Sequence, residues 1–91
     1  MPEGDVDYVL TAHARFEMQR RGIGEGVVQR VMAEPEQTFD LRPGRSVRQA
    51  RMAMGGQTYL VRVIVDVDRT PPEVVTVYRT SKISKYWREP A

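Results

Sequence analysis

From Tyr59 to Val65 the chain sets Tyr59, Val61, Val63 and Val65 at every second position, with Leu60, Arg62 and Ile64 between them. A period of two sends successive side chains to opposite faces of a strand. Because both sets are largely apolar, this strand needs cover on one face or both, which makes it the centre of a sheet. Gly55-Gly56 reads as the tight hairpin turn before it, so Val47 to Met54 is its antiparallel partner. Pro43-Gly44 turns that partner back to a strand over Gln37 to Arg42. After the loop Asp68-Arg-Thr-Pro-Pro-Glu73, the stretch from Val74 to Arg79 is a fourth strand beside the central one. The sheet expected is a four-stranded antiparallel meander.

The residues before this sheet follow a helical period. Thr11 is placed as an N-cap for a helix from about Ala12 to Arg21, which Gly22 stops. A second helix is expected from about Glu25 to Ala33, where Val27, Val28, Val31 and Met32 form one stripe and Pro35 ends it. The class is therefore α+β, with two N-terminal helices packed on one face of the sheet and a short C-terminal helical turn. Residues 1–91 fit a single domain, since a chain of this size buries only about 60–65% of its unfolded surface. Met18, Met32, Met52 and Met54 read as core filler.

Composition narrows the chemistry. With no cysteine and one histidine, neither a thiolate nucleophile nor a Cys-based zinc site is available, and any metal would have to sit on carboxylates. Asp66 and Asp68, the nearest such pair, are better explained by the turn that follows them. No metal and no cofactor are expected. The start is acidic at Glu3, Asp5 and Asp7, unlike a signal peptide, and no apolar run approaches ~20 residues. A cytoplasmic location without membrane contact is the expectation. The net charge is only +2, yet Arg42, Arg45, Arg48 and Arg51 form one acid-free run, and Arg79, Lys82, Lys85 and Arg88 another. Local basic patches raise anion affinity even in a nearly neutral chain. Arg20, Arg45, Arg48, Arg51, Lys85 and Arg88 are accordingly the expected nucleic-acid contacts.

Two constellations can carry chemistry. On the first helix, His13, Glu17, Arg20 and Arg21 share an arc. The helix dipole at its start favours the neutral imidazole that a general base needs. Glu17 with Arg21 is equally a routine ion pair. At the other end, helical phasing from Ser81 puts Ile83 and Trp87 on one side, with Lys82, Lys85 and Tyr86 on the other beside Tyr78 and Arg79. Metal-free RNA cleavage needs a base for the 2′-hydroxyl, cations for the charge developing on phosphorus and an acid for the leaving oxygen. A cluster of Lys, Arg and Tyr meets those needs, and it suits simple RNA binding equally well.

With His13-Ala-Arg-Phe-Glu-Met-Gln-Arg-Arg-Gly-Ile23 at one end and Val75-Thr-Val-Tyr-Arg-Thr-Ser-Lys-Ile-Ser-Lys-Tyr-Trp87 at the other, the chain resembles a bacterial family of small domains of unknown function. That family is grouped with the RelE/ParE-like and BrnT-like toxins. The resemblance runs from about Leu10 to Arg88 and includes the Glu34-Pro35 break. It implies a compact RelE-like α+β fold and metal-independent endoribonuclease activity on mRNA, ribosome-bound mRNA included, restrained by an acidic antitoxin protein. Carried over by position, His13, Arg21 and Gly22 match the helix motif, and Thr76, Tyr78, Lys82 and Tyr86 the terminal one. The roles expected are His13 or Lys82 as base, Arg21 and Arg79 as phosphate clamps, and Tyr78 or Tyr86 as proton donor. Two alternatives stand beside this: a non-catalytic module that binds nucleic acid or an acidic protein, and a ParE-like topoisomerase inhibitor.

Overall fold

The computed structural model describes residues 8–89, so the acidic start at Glu3, Asp5 and Asp7 lies outside the described residues. A two-residue strand, β1 (Val9–Leu10), leads into α1 (Ala12–Arg21). Thr11 caps this helix as expected: its Oγ1 accepts the Ala14 amide at 3.1 Å. The same hydroxyl donates to the Val74 carbonyl at 3.0 Å, which ties the cap to the sheet. Gly22, at a φ of 67°, ends the helix in the left-handed conformation open to glycine, and the Ile23 amide reaches back to the Met18 carbonyl at 2.8 Å. α2 (Glu25–Ala33) then buries Val28, Val31 and Met32.

Next come β2 (Gln37–Arg42), β3 (Arg45–Met54), β4 (Gln57–Asp66) and β5 (Glu73–Thr80), with β4 between β3 and β5 as its alternation demands. The strand count needs one correction. β1 pairs with β5 in parallel, Val9 opposite Glu73 and Leu10 opposite Val74, so the sheet is mixed and five-stranded in the order β1-β5-β4-β3-β2. Two residues carry no readable period, and their partner lies at the far end of the sequence, so this strand has no local signature.

The helices cover the face that carries Val61, Val63 and Val65 of β4. With Ala14, Met18, Val28, Val31, Met32, Ala50, Val74 and Val77 these residues form the main core, and Met52 and Met54 pack at its margin. Leu60, Arg62 and Ile64 point to the other face, where Val47 is buried too. The chain returns over that second face after β5, through α3 (Ile83–Tyr86) and the extended residue Trp87. Ile83 and Trp87 are half-buried, as phasing predicted, but so is Tyr86, which departs from the expected split. The physical reason is brevity: α3 lasts one turn, and Trp87 at φ −71° and ψ 128° has already left the helix.

Gly44, in the turn between β2 and β3, has a φ of 84°, and a Cβ there would sit 2.8 Å from Asp68 Oδ2. Left-handed backbone costs other residues about 1–2 kcal/mol, while the exposed Asp68 carboxylate can swing aside. Gly44→Ala is therefore expected to lower the urea midpoint by about that equivalent. An unchanged midpoint would contradict this account of the turn.

Candidate nucleic-acid interface

Four residues on the second face stand directly opposite one another across four strands. Gln37 of β2 faces Gln49 of β3, Gln49 faces Arg62 of β4, and Arg62 faces Tyr78 of β5. The register makes them a continuous polar row. Gln49 Nε2 donates to Gln37 Oε1 at 2.7 Å, Arg62 Nε donates to Gln49 Oε1 at 2.8 Å, and Arg62 Nη1 donates to the Tyr78 hydroxyl. Gln49 is fully buried and Arg62 is 7% exposed.

Arg62 is the exceptional member. A buried guanidinium ordinarily needs a carboxylate, because removing the charge from water is costly. Among the described residues no carboxylate lies within ion-pair distance of it. Its charge is held instead by an amide oxygen, a phenol oxygen and two aromatic faces, Tyr86 at 4.5 Å and Tyr78 at 5.5 Å from guanidinium carbon to ring centroid. The Tyr78 ring meets the edge of Tyr86 at 6.3 Å between centroids. The Arg21 guanidinium carbon also lies 5.8 Å from the Tyr78 centroid, so two guanidinium groups approach this ring.

Glu17 fixes the Arg21 side. It is buried at 8% exposure and accepts from Arg20 Nη2 and Arg21 Nε, each at 2.8 Å. The hydrogen bonds from Arg20 and then Arg21 hold its pKa down at about 2, from an ordinary 4.5. Glu36 is likewise held at about 2 by its side-chain and backbone hydrogen bonds from Arg51. A depressed carboxylate stabilises the fold fully above its unfolded pKa and ceases to as the pH falls through the folded one. Melting temperature is therefore expected to drop between about pH 4.5 and pH 2. Glu17→Gln, less stable than wild type at pH 6, should converge on it by pH 2. A difference independent of pH would contradict the assignment.

The residues expected to act together are only partly together. Arg21, Tyr78 and Tyr86 meet around Arg62. Lys82 and Lys85 are exposed: Lys82 lies just past β5 with its amide on Thr80 Oγ1 at 3.0 Å, and Lys85 Nζ stands 5.4 Å from the Tyr86 ring centroid. Arg79 points to the helix side, over Tyr59 at 4.6 Å. His13 stands apart. It is exposed and makes no hydrogen bond among the described residues, and Thr11 anchors its end of α1 to the Val74 and Val75 carbonyls. From Val75 to Thr80 a strand covers about 16 Å, so His13 and Lys82 lie toward opposite ends of β5.

The run Arg42, Arg45, Arg48 and Arg51 does not form one patch, and the reason is the strand period. A spacing of three alternates faces in β3. Arg48 points to the helix side and donates to the Met32 carbonyl at 2.7 Å, a favourable place for a cation at the C-terminal end of α2. Arg45 binds Asp66 at 2.6 Å and Arg51 binds Glu36 at 2.9 Å. Arg20 is held by Glu17. Arg88 lies 3.9 Å above the Phe39 ring centroid, and Arg51 lies 4.3 Å from that of Trp87.

A comparison with protein families matches residues 10–79 to a domain of unknown function, DUF4258. The chain belongs to the DUF4258 family. The part of this DUF4258 chain that matches holds Arg21, Arg62 and Tyr78 and ends before α3. No curated protein and no solved structure matches it. Among the described residues no helix of the DUF4258 domain is long and apolar enough to cross a membrane. Sequence reasoning passed over Arg62, Gln49 and Gln37. The signal for Arg62 was present: a lone charge inside the most apolar strand of the chain. Gln37 and Gln49 become meaningful only through the register.

Proposed function

We propose that this domain is a metal-independent endoribonuclease acting on single RNA strands such as mRNA, with its centre at Tyr78. The observation that carries the reading is the ring of Tyr78 approached by Arg21 and hydrogen-bonded to a buried Arg62 that no described carboxylate neutralises. The Tyr78 oxygen accepts a hydrogen bond from Arg62, so its own O–H is left to donate elsewhere. In this mechanism the RNA 2′-oxygen attacks phosphorus and the P–O5′ bond breaks, giving a 2′,3′-cyclic phosphate and a free 5′-hydroxyl. Tyr78 gives its proton to the departing 5′-oxygen, and the Lys82 amine takes the proton from the 2′-hydroxyl. Arg21 and Arg62 stabilise the charge that builds on the phosphoryl oxygens. A RelE-like lineage and an acidic antitoxin as partner belong to the same proposal.

Cleavage of an RNA in EDTA by wild type, Lys82→Ala, His13→Ala and Arg62→Met tests it. Wild type and His13→Ala should cleave, Lys82→Ala weakly, and Arg62→Met about 10²–10³-fold more slowly. Arg62→Met leaves the buried Gln49 Oε1 without its donor, at a cost of about 1–3 kcal/mol, so rates are compared at a temperature where all four proteins are folded. RNA left intact by wild type, or equal cleavage by all four, would overturn the reading. The distance of His13 from the cluster favours one alternative, a module that binds RNA through Lys82, Lys85 and Arg88 without cutting it. Salt-dependent binding with no product would identify that case.

A further inference from the structure

The segment that follows β5 rests on the polar row, and its ties to that row are made to main chain. Gln37 uses both ends of its side-chain amide on one residue: Nε2 donates to the Arg88 carbonyl at 2.6 Å, and Oε1 accepts the Arg88 amide at 3.1 Å. Gln49 Nε2 donates to the Tyr86 carbonyl at 3.2 Å. The side chains add cation–ring contacts, Arg51 with Trp87, Arg62 with Tyr86 and Arg88 with Phe39. No residue of α3 is buried, and no side chain caps its start. A one-turn helix has no stability of its own. The tail is thus held by a few polar ties, and beneath it lies the one buried guanidinium that has no carboxylate among the described residues.

We propose that residues 83–89 are a strap that covers the Arg62 site and that RNA displaces. The inference rests on the ribonuclease reading and concerns regulation of that same site. With the strap down, the Tyr86 ring lies 4.5 Å from the Arg62 guanidinium carbon and shields the group from solvent and from an approaching phosphate. With the strap lifted, Arg62 and Tyr78 stand open to RNA, while Gln37 serves only to hold the strap at Arg88. The closed state lowers apparent affinity by the fraction of molecules that are open, so weakening the strap tightens RNA binding.

Trp87 is the only tryptophan of the chain and sits in the strap, so its fluorescence reports the position of the strap directly. The probe is a 2′-O-methyl RNA oligonucleotide, which lacks the attacking hydroxyl and stays intact. Adding it to wild type should increase acrylamide quenching of Trp87. Gln37→Met, which removes both Gln37 ties to Arg88, should show that quenching without RNA and bind the oligonucleotide about tenfold more tightly. Exchange of the Arg88 amide, followed by NMR, should be faster in Gln37→Met while amides of β4 keep their protection, which separates strap release from unfolding. Equal affinity for both proteins, with Trp87 equally shielded in both, would overturn the strap and leave the ribonuclease reading standing. Failure of the oligonucleotide to bind either protein would overturn both.

Discussion

Tyr78→Phe is expected to slow RNA cleavage by about 10²–10⁴-fold, the usual contribution of a positioned proton donor. The substitution removes one oxygen and keeps the ring that lies against Arg62, Arg21 and Tyr86. Its structural cost is the acceptor lost to Arg62 Nη1, about 1–3 kcal/mol for a buried donor left unpaired. Rates are therefore to be compared at a temperature where both proteins are folded. The leaving group supplies a sharper readout. If Tyr78 protonates the 5′-oxygen, a substrate with a 5′-thio leaving group, which departs without a proton, should be cut by Tyr78→Phe nearly as fast as by wild type. An equal deficit on both substrates would show that Tyr78 acts only through the fold.

Met32→Ala is expected to be among the most destabilising single changes in the domain, at about 2–5 kcal/mol. Met32 is 1% exposed and belongs to the cluster that joins α2 to the sheet face of Val61, Val63 and Val65. Its carbonyl also accepts from Arg48, so the backbone around the new cavity is pinned and has little room to collapse inward. For a domain of this length each kcal/mol moves the melting temperature by roughly 4–8 °C. Thermal unfolding measures the shift, and a fall of less than about 5 °C would mean that the helix layer contributes far less than its burial implies.

The parts of the fold legible in the sequence were those with a local cause. Thr11, Gly22 and Pro35 bracket the helices, Gly55-Gly56 marks the long hairpin, and the alternation from Tyr59 to Val65 puts β4 between its neighbours. β1 was not legible, because two residues have no period and their partner is remote in sequence. The site divides the same way. Tyr78, Arg21 and Tyr86 could be singled out as residue types able to serve RNA chemistry, and they do meet. Arg42, Arg45, Arg48 and Arg51 make an acid-free run in the sequence, and a strand sends such residues to both of its faces. Uniting His13 with Lys82 needed a knowledge of how α1 lies along β5, which no local pattern carries. The row from Gln37 to Tyr78 is a product of register alone: four residues scattered through the chain become neighbours only when three strand pairs are aligned.

The central claim is that the Tyr78 and Arg62 cluster cleaves RNA through attack of the 2′-hydroxyl. The most direct measurement is the chemistry of the ends left on a short RNA after incubation with the purified domain in EDTA. The account predicts a 2′,3′-cyclic phosphate on one fragment and a 5′-hydroxyl on the other, with both absent from Tyr78→Phe reactions of the same length. Fragments ending in 5′-phosphate, or an RNA that is bound and recovered whole, would contradict it.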